Sequence, residues 1–150
     1  MKIEPAAIED AADILALQKL AYQSEAELYN DFTIQPLMQT IEELEREFET
    51  HTVFKAIQES NLVGSVRTAV KGGTCCVGKL IVHPACQNRG IGHALLTHIE
   101  SQAAMVKRFE LFTGHRSARN LYLYQKLGYR EYKREMAHKG LILVFMEKLL

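Results

Sequence analysis

Apolar and polar positions along this chain alternate between two periods, and the switches between them mark out its elements. Residues 2–5 read as a short first strand. From Ile8 the apolar positions Ile8, Ala11, Ala12, Leu15, Leu17, Leu20, Ala21 and Leu28 recur near the helical period, with Glu9 or Asp10 at the helix start. Tyr29 to Pro36 breaks that pattern. A second helix is predicted from Thr40, where Glu43 three residues on completes a capping box and Ile41, Leu44 and Phe48 make the apolar stripe. Three strand-like runs follow, at 52–58, 62–70 and 74–82, separated by turns at Ser60-Asn61 and Lys71-Gly72-Gly73. Turns this short predict an antiparallel meander.

A helix is then predicted from His93 to about Val106, a central strand at 108–113, and a helix at 117–127 stopped by Gly128. Strands at 129–136 and 141–149, around Ala137-His138-Lys139-Gly140, complete the chain. The order is β-α-α-β-β-β-α-β-α-β-β. It predicts an α/β fold, a mixed and mostly antiparallel sheet with helices packed on both faces. Residues 74–113 form one βαβ crossover, so the strands flanking that helix are expected to run parallel.

A chain of 150 residues with no linker or repeat is expected to be one domain, 1–150, and 47% hydrophobic residues suffice for its core. Eighteen basic residues balance eighteen acidic ones, which argues against a nucleic-acid partner. No apolar run approaches membrane-spanning length, and Met1 to Pro5 lacks a signal core, so a cytoplasmic protein is expected. Cys75, Cys76, His83 and Cys86 match no familiar zinc spacing, and an odd cysteine count argues against a disulfide framework; no metal is expected.

The most informative stretch is Gln87-Asn88-Arg89-Gly90-Ile91-Gly92, between the strand Leu80-Ile81-Val82 and a helix start at His93. Helix N-termini carry unpaired N–H groups and the positive end of the dipole, so a phosphate is the expected guest. A dinucleotide fingerprint would need a third glycine where Leu95 stands. A P-loop would need Lys where His93 stands.

Gln-x-x-Gly-x-Gly after Leu-x-Val-x-Pro, here Leu80 to Gly92, strongly resembles the acetyl-CoA loop of the GNAT superfamily of N-acetyltransferases. Asn120-Leu121-Tyr122-Leu123-Tyr124-Gln125-Lys126-Leu127-Gly128-Tyr129 is similar to that family's C-terminal motif, and Gly64 and the element order also agree. The resemblance spans nearly the whole chain. It implies an acetyl-CoA-dependent N-acetyltransferase, with acetyl-CoA as co-substrate and a primary amine as acceptor, a small molecule sooner than a peptide.

By that resemblance, the amides of Asn88, Arg89, Gly90, Ile91, Gly92 and His93 hold the pyrophosphate, with Gln87 in the same loop. Gly90 and Gly92 would let the backbone come close, and Arg89 would add a charge. The backbone of Leu80, Ile81 and Val82 would bind the pantetheine arm where this strand and the one at 108–113 splay apart. A free N–H there would stabilise the oxyanion. Tyr124 is the expected general acid toward the leaving thiolate. Asn120 or Ser117 would hold the cofactor arm.

The general base stays open between Glu110, His115 and a water relay, because the strand position where many relatives carry Glu is Gly78 here. Gly78 in a strand interior marks space for a substrate or a bulge. The acids and aromatics of residues 24–32 could draw in a cationic amine. A homodimer is also compatible with the family, with Leu141–Leu149 as a candidate interface. A non-catalytic acyl-CoA-binding domain is the rival reading. An RNA-directed acetylating toxin is disfavoured by the neutral charge.

Overall fold

The computed structural model describes residues 1–138 and 140–150, so Lys139 of the predicted last turn lies outside the described residues. The strands are β1 (Lys2–Pro5), β2 (Thr52–Gln58), β3 (Asn61–Lys71), β4 (Thr74–Val82), β5 (Arg108–Gly114), β6 (Arg130–His138) and β7 (Leu141–Leu149). The helices are α1 (Ala11–Ala21), α2 (Gln23–Tyr29), α3 (Gln35–Met38), α4 (Ile41–Glu47), α5 (Ile91–Gln102) and α6 (Ala118–Lys126). The strands form one seven-stranded sheet in the order β1-β2-β3-β4-β5-β7-β6. Among the described residues only β4 and β5 pair in parallel; every other neighbouring pair is antiparallel, as the meander and the crossover predict.

Alternation along β2 sends its residues to two cores. Val53 packs with Ala11, Ile14 and Leu44 from α1 and α4. Phe54 and Ala56 pack with Ile91, Leu95, Leu96 and Ile99 of α5 on the opposite face. Gly64 on β3 permits the close approach of α5: a Cβ there would sit 3.0 Å from Leu95 Cδ1 and 3.1 Å from the Ile81 carbonyl oxygen. The capping box at Thr40 forms as expected, with the Glu43 amide donating to Thr40 Oγ1 at 3.2 Å and the Thr40 amide to Glu43 Oε1 at 2.8 Å.

Several boundaries differ from the sequence reading. The single helix expected across 8–28 is a 3-10 turn at Ile8–Asp10 followed by α1 and α2, with the break at Tyr22. Ile8, Leu20 and Leu28 are exposed, whereas Gln18 is fully buried. A helical period reports which face is apolar, not whether the axis bends. The short α3, with Pro36 in its first turn, lies in the stretch that carries no period. The β2–β3 turn is Glu59-Ser60, both at positive φ (51° and 66°), one residue earlier than expected. Helix α5 ends at Gln102, and Val106 is buried beyond it. Strand β7 is paired on both sides, by β5 and β6. The free sheet edge at this end is therefore β6, not the 141–149 strand considered for an interface.

The feature that positions the site is in β4. Ser65 pairs with Ile81 and Arg67 with Gly78, so Lys79 and Leu80 together oppose Val66. Lys79 adopts φ 45°, the left-handed region, and forms a β-bulge. The bulge reverses the alternation: Cys75 and Val77 face the α5 core before it, and Leu80 and Val82 pack there after it. The parallel ladder with β5 has already ended before it. Strand β4 pairs with β5 only at Thr74, Cys75 and Cys76, against Arg108, Phe109 and Glu110. Beyond Cys76 the two strands diverge, as the resemblance implies.

Candidate active site

Two cavities open where β4 and β5 part. The first, about 860 Å³, is lined by Leu80, Ile81 and Val82, by the loop and helix start at Gln87, Asn88 and Gly90 to His93, by α6 and by α2. The second, about 560 Å³, lies between the α1–α4 side and the β3–β4–β5 wall, and its lining includes Arg67, Gly78, Lys79, Phe112 and Tyr124. Tyr22, Glu25, Leu80 and Asn120 line both, so the two cavities meet at these residues.

The first cavity is largely a backbone structure. Asn88 (φ 64°) and Gly90 (φ 80°) turn the chain into α5, with Gly90 as the N-cap residue. The first helical bond runs from the Ala94 amide to the Gly90 carbonyl at 2.9 Å. The amides of Ile91, Gly92 and His93 therefore precede the helical ladder and are free for an anion. The two glycines do different work. A Cβ on Gly90 would meet nothing within 4 Å, so its need is conformational. A Cβ on Gly92 would lie 3.1 Å from Leu123 Cδ2 and near Leu80 and Val82, so its absence lets α5 approach α6 and β4. Arg89 is exposed and outside the cavity lining. The cations that do line it are Arg116, Arg119 and Lys126. Arg119 also donates to Gln87 Oε1, which ties the loop to α6 across the opening. Sequence reasoning passed over Arg119, because the link joins positions far apart in the chain.

Tyr124 is only 4% exposed and lines the second cavity; Tyr122, 67% exposed, faces elsewhere on the helix, as its offset predicts, and lines the first cavity. Burial, reinforced by the nearby Tyr22 and Glu25, pushes the Tyr124 phenol well above its ordinary value. Asn120 Nδ2 donates to Thr113 Oγ1 at 3.2 Å, which fixes its amide at the junction. Ser117 is buried in the first cavity at the N-cap of α6, without a side-chain capping bond.

The two candidate bases lie elsewhere. Glu110 accepts from Arg108 Nη2 at 2.7 Å and from the Tyr132 hydroxyl, and these bonds hold its carboxyl below the usual range. His115 Nδ1 accepts from the Ile142 amide at 3.2 Å. Neither residue lines either cavity. The carboxylate that does stand at the junction is Glu25. Burial raises its pKa, against the opposing pull of the Ser117 hydroxyl and Arg119. Within the acidic run at 24–31, α2 turns Glu25 to the junction, Glu27 lines only the first cavity, and Asp31 Oδ1 accepts from the Thr33 amide at 2.8 Å. Periodicity could not separate these acids.

A buried arginine completes the second cavity. Arg67, 2% exposed, reaches Glu47 Oε1 and Gln39 Oε1 at 3.3 Å each, and also donates to Gln18 Oε1. One strand residue thereby joins α1, α4 and the segment between α3 and α4. The signal was present in the sequence as a charged residue inside the apolar run Leu62 to Val70, where an unpaired charge would be costly.

The fold agrees with that of known proteins. The family described as acetyltransferase (GNAT) domain matches residues 18–150. The chain therefore belongs to the GNAT acetyltransferase family. A curated relative, the UPF0157 protein YqkA of Bacillus subtilis strain 168, is 25% identical over 133 residues, 89% of this chain; the chain spans 38% of that relative's length. Among solved structures, the PaiA N-acetyltransferase from Thermoplasma acidophilum in complex with coenzyme A superposes with a TM-score of 0.79 at 17% identity, covering 100% of both chains. The smu.2055 protein from Streptococcus mutans UA159 gives 0.84 at 17% identity, covering 99% of each. At such identities the likeness establishes the fold. Among the described residues no helix is long and apolar enough to cross a membrane.

Proposed function

We propose that this chain is an acetyl-CoA-dependent N-acetyltransferase that passes acetyl directly to a primary amine of a small molecule. The observation that carries this reading is the junction itself: two cavities meet at Glu25, Leu80 and Asn120, where β4 leaves its parallel partner. The first cavity fits coenzyme A. It offers helix-start amides and three cations for phosphates, and a strand edge unpaired beyond Cys76 for the amide-rich pantetheine arm. Asn120 would orient that arm, with Ser117 beside it. The second cavity is of small-molecule size.

Each proton then has a place. Glu25 takes one from the acceptor ammonium; a carboxyl raised by burial is a stronger base than an exposed one. The neutral amine attacks the thioester carbonyl, the C–N bond forms, the nitrogen releases its second proton to solvent and the C–S bond breaks. A β4 backbone N–H facing the gap stabilises the oxygen as charge develops there. Tyr124 donates a hydrogen bond to the departing sulfur. Because its phenol is held above its ordinary value of 10.0 and a thiol ionises near pH 8.5, a full proton transfer would run uphill. The sulfur therefore leaves as a hydrogen-bonded thiolate and takes its proton from solvent.

Gly78 leaves β4 without an acid, which is the argument for a non-catalytic binder; Glu25 supplies a carboxylate at the junction instead. The test is calorimetry with acetyl-CoA, followed by a thiol-release screen over amines. Binding and release are expected. Absence of heat at millimolar ligand would sink the reading of the first cavity. Tyr124→Phe is expected to lower turnover on the order of a hundredfold with acetyl-CoA affinity unchanged; unchanged turnover would remove Tyr124 from the mechanism.

A further inference from the structure

The charges around the second cavity are arranged by position. At the junction stands the acid Glu25. On the β3–β4 wall, outside the first cavity, stand two cations, Arg67 and Lys79. The acid among them, Glu47, already has both oxygens engaged: Oε1 by Arg67 at 3.3 Å and Oε2 by Gln39. Glu47 therefore neutralises Arg67 and leaves Lys79 over. Lys79 forms no ion pair among the described residues. Arg67 keeps an Nε with no partner among the described residues, although the side chain is buried.

Placing two cations close together in a poorly solvated wall is unfavourable. Burial and the Arg67 charge both hold the Lys79 ammonium below its ordinary pKa, while Glu47 and Glu43 oppose them. The backbone also spends conformational energy here, since Lys79 sits in the left-handed region at the bulge. Space has been left beside it. Gly78, the cross-strand partner of Arg67, has nothing within 4 Å of where a Cβ would be.

We infer that the acceptor is a primary amine that also carries an anionic group, its amine at Glu25 and its anion on the Lys79–Arg67 wall beside Gly78. This rests on the transferase reading for the role of the amine end. A carboxylate, as in an amino acid, or a phosphate would satisfy the same wall. A polyamine would not, because its far ammonium would face Lys79 and Arg67.

The experiment measures acceptor binding to the protein saturated with coenzyme A, by calorimetry, alongside thiol release from acetyl-CoA. The probes are the standard amino acids, the matched set γ-aminobutyrate, butylamine and putrescine, and the pair phosphoethanolamine and ethanolamine. Anion-bearing amines are expected to bind at least tenfold more tightly than their uncharged-tail counterparts, on the scale of one charge-assisted hydrogen bond. Preference within the anionic set distinguishes carboxylate from phosphate. Lys79→Met, which keeps the chain length at the bulge, is expected to weaken them on the order of ten- to a hundredfold, with coenzyme A affinity unchanged and recovery in Lys79→Arg. Putrescine or butylamine binding more tightly than γ-aminobutyrate, or a Lys79→Met variant with unaltered preference, overturns the inference. Anionic amines that bind through Lys79 without thiol release would uphold the anion wall and sink the transferase reading.

Discussion

The two cavities are made of different materials. The first is built from backbone over a short stretch: the edge of β4, a positive-φ turn and the start of α5, all within residues 80–93, faced by α6. The second is built from side chains that meet only in space. Arg67 draws together Gln18, Gln39 and Glu47 from three other places in the chain. A backbone site binds what any chain of that local shape would bind. A side-chain site has a chemistry set by which residues the fold brings together, so the guest of the first cavity is the more general and that of the second the more particular.

That contrast can be broken most severely at the junction. Glu25→Gln is expected to lower turnover on the order of a hundredfold or more while acetyl-CoA still binds, read by thiol release against calorimetry. In the wild type, activity should rise with pH through the Glu25 value, which lies above the ordinary 4.5, because the protonated carboxyl cannot accept a proton. The variant should lack that limb. The sign for stability is opposite. Burial raises the folded-state pKa, so ionised Glu25 costs the fold stability once pH passes its unfolded value, and the variant should unfold no more easily than the parent. A variant that keeps the same activity and the same limb would return the base to water.

Glu47→Ala should act on the second cavity alone. Removing the carboxylate leaves the buried Arg67 charge uncompensated, and a loss of about 3 kcal/mol is expected in denaturant unfolding. A loss below about 1 kcal/mol would mean that the ion pair is solvated like a surface one. The smallest effect is expected at Gly64→Ala, at about 1–2 kcal/mol, because the new Cβ presses on Leu95 and on a backbone oxygen that cannot turn away. Since Leu95 belongs to α5, this change should also weaken acetyl-CoA binding, whereas Glu47→Ala should not. If both variants weakened it equally, the two cavities would not be independent.

Much of this division was legible beforehand. The glycine turn, the crossover and the succession of strands follow from local periods and turn residues, and the structure has them with shifts of one or a few residues. The helix break at Tyr22 was not legible, because the apolar period runs through it unchanged. The candidate bases illustrate the limit best. Glu110 shares a strand face with Phe112, which lines the second cavity, yet its carboxylate is taken up by Tyr132 and Arg108 and lines neither cavity. Glu25 looked like one acid among several on a helix end.

By itself the sequence determined the succession of strands, the glycine turn at 87–93 and the helix that carries Tyr124, because these depend on residues close in the chain whose backbone preferences add. The tertiary structure decided where β4 leaves β5, which acid reaches the junction and which cations line the second cavity. Those outcomes turn on a bulge at Lys79 that inverts the strand's alternation and on contacts between residues many positions apart. No local pattern encodes which distant side chain will be there to neutralise a charge.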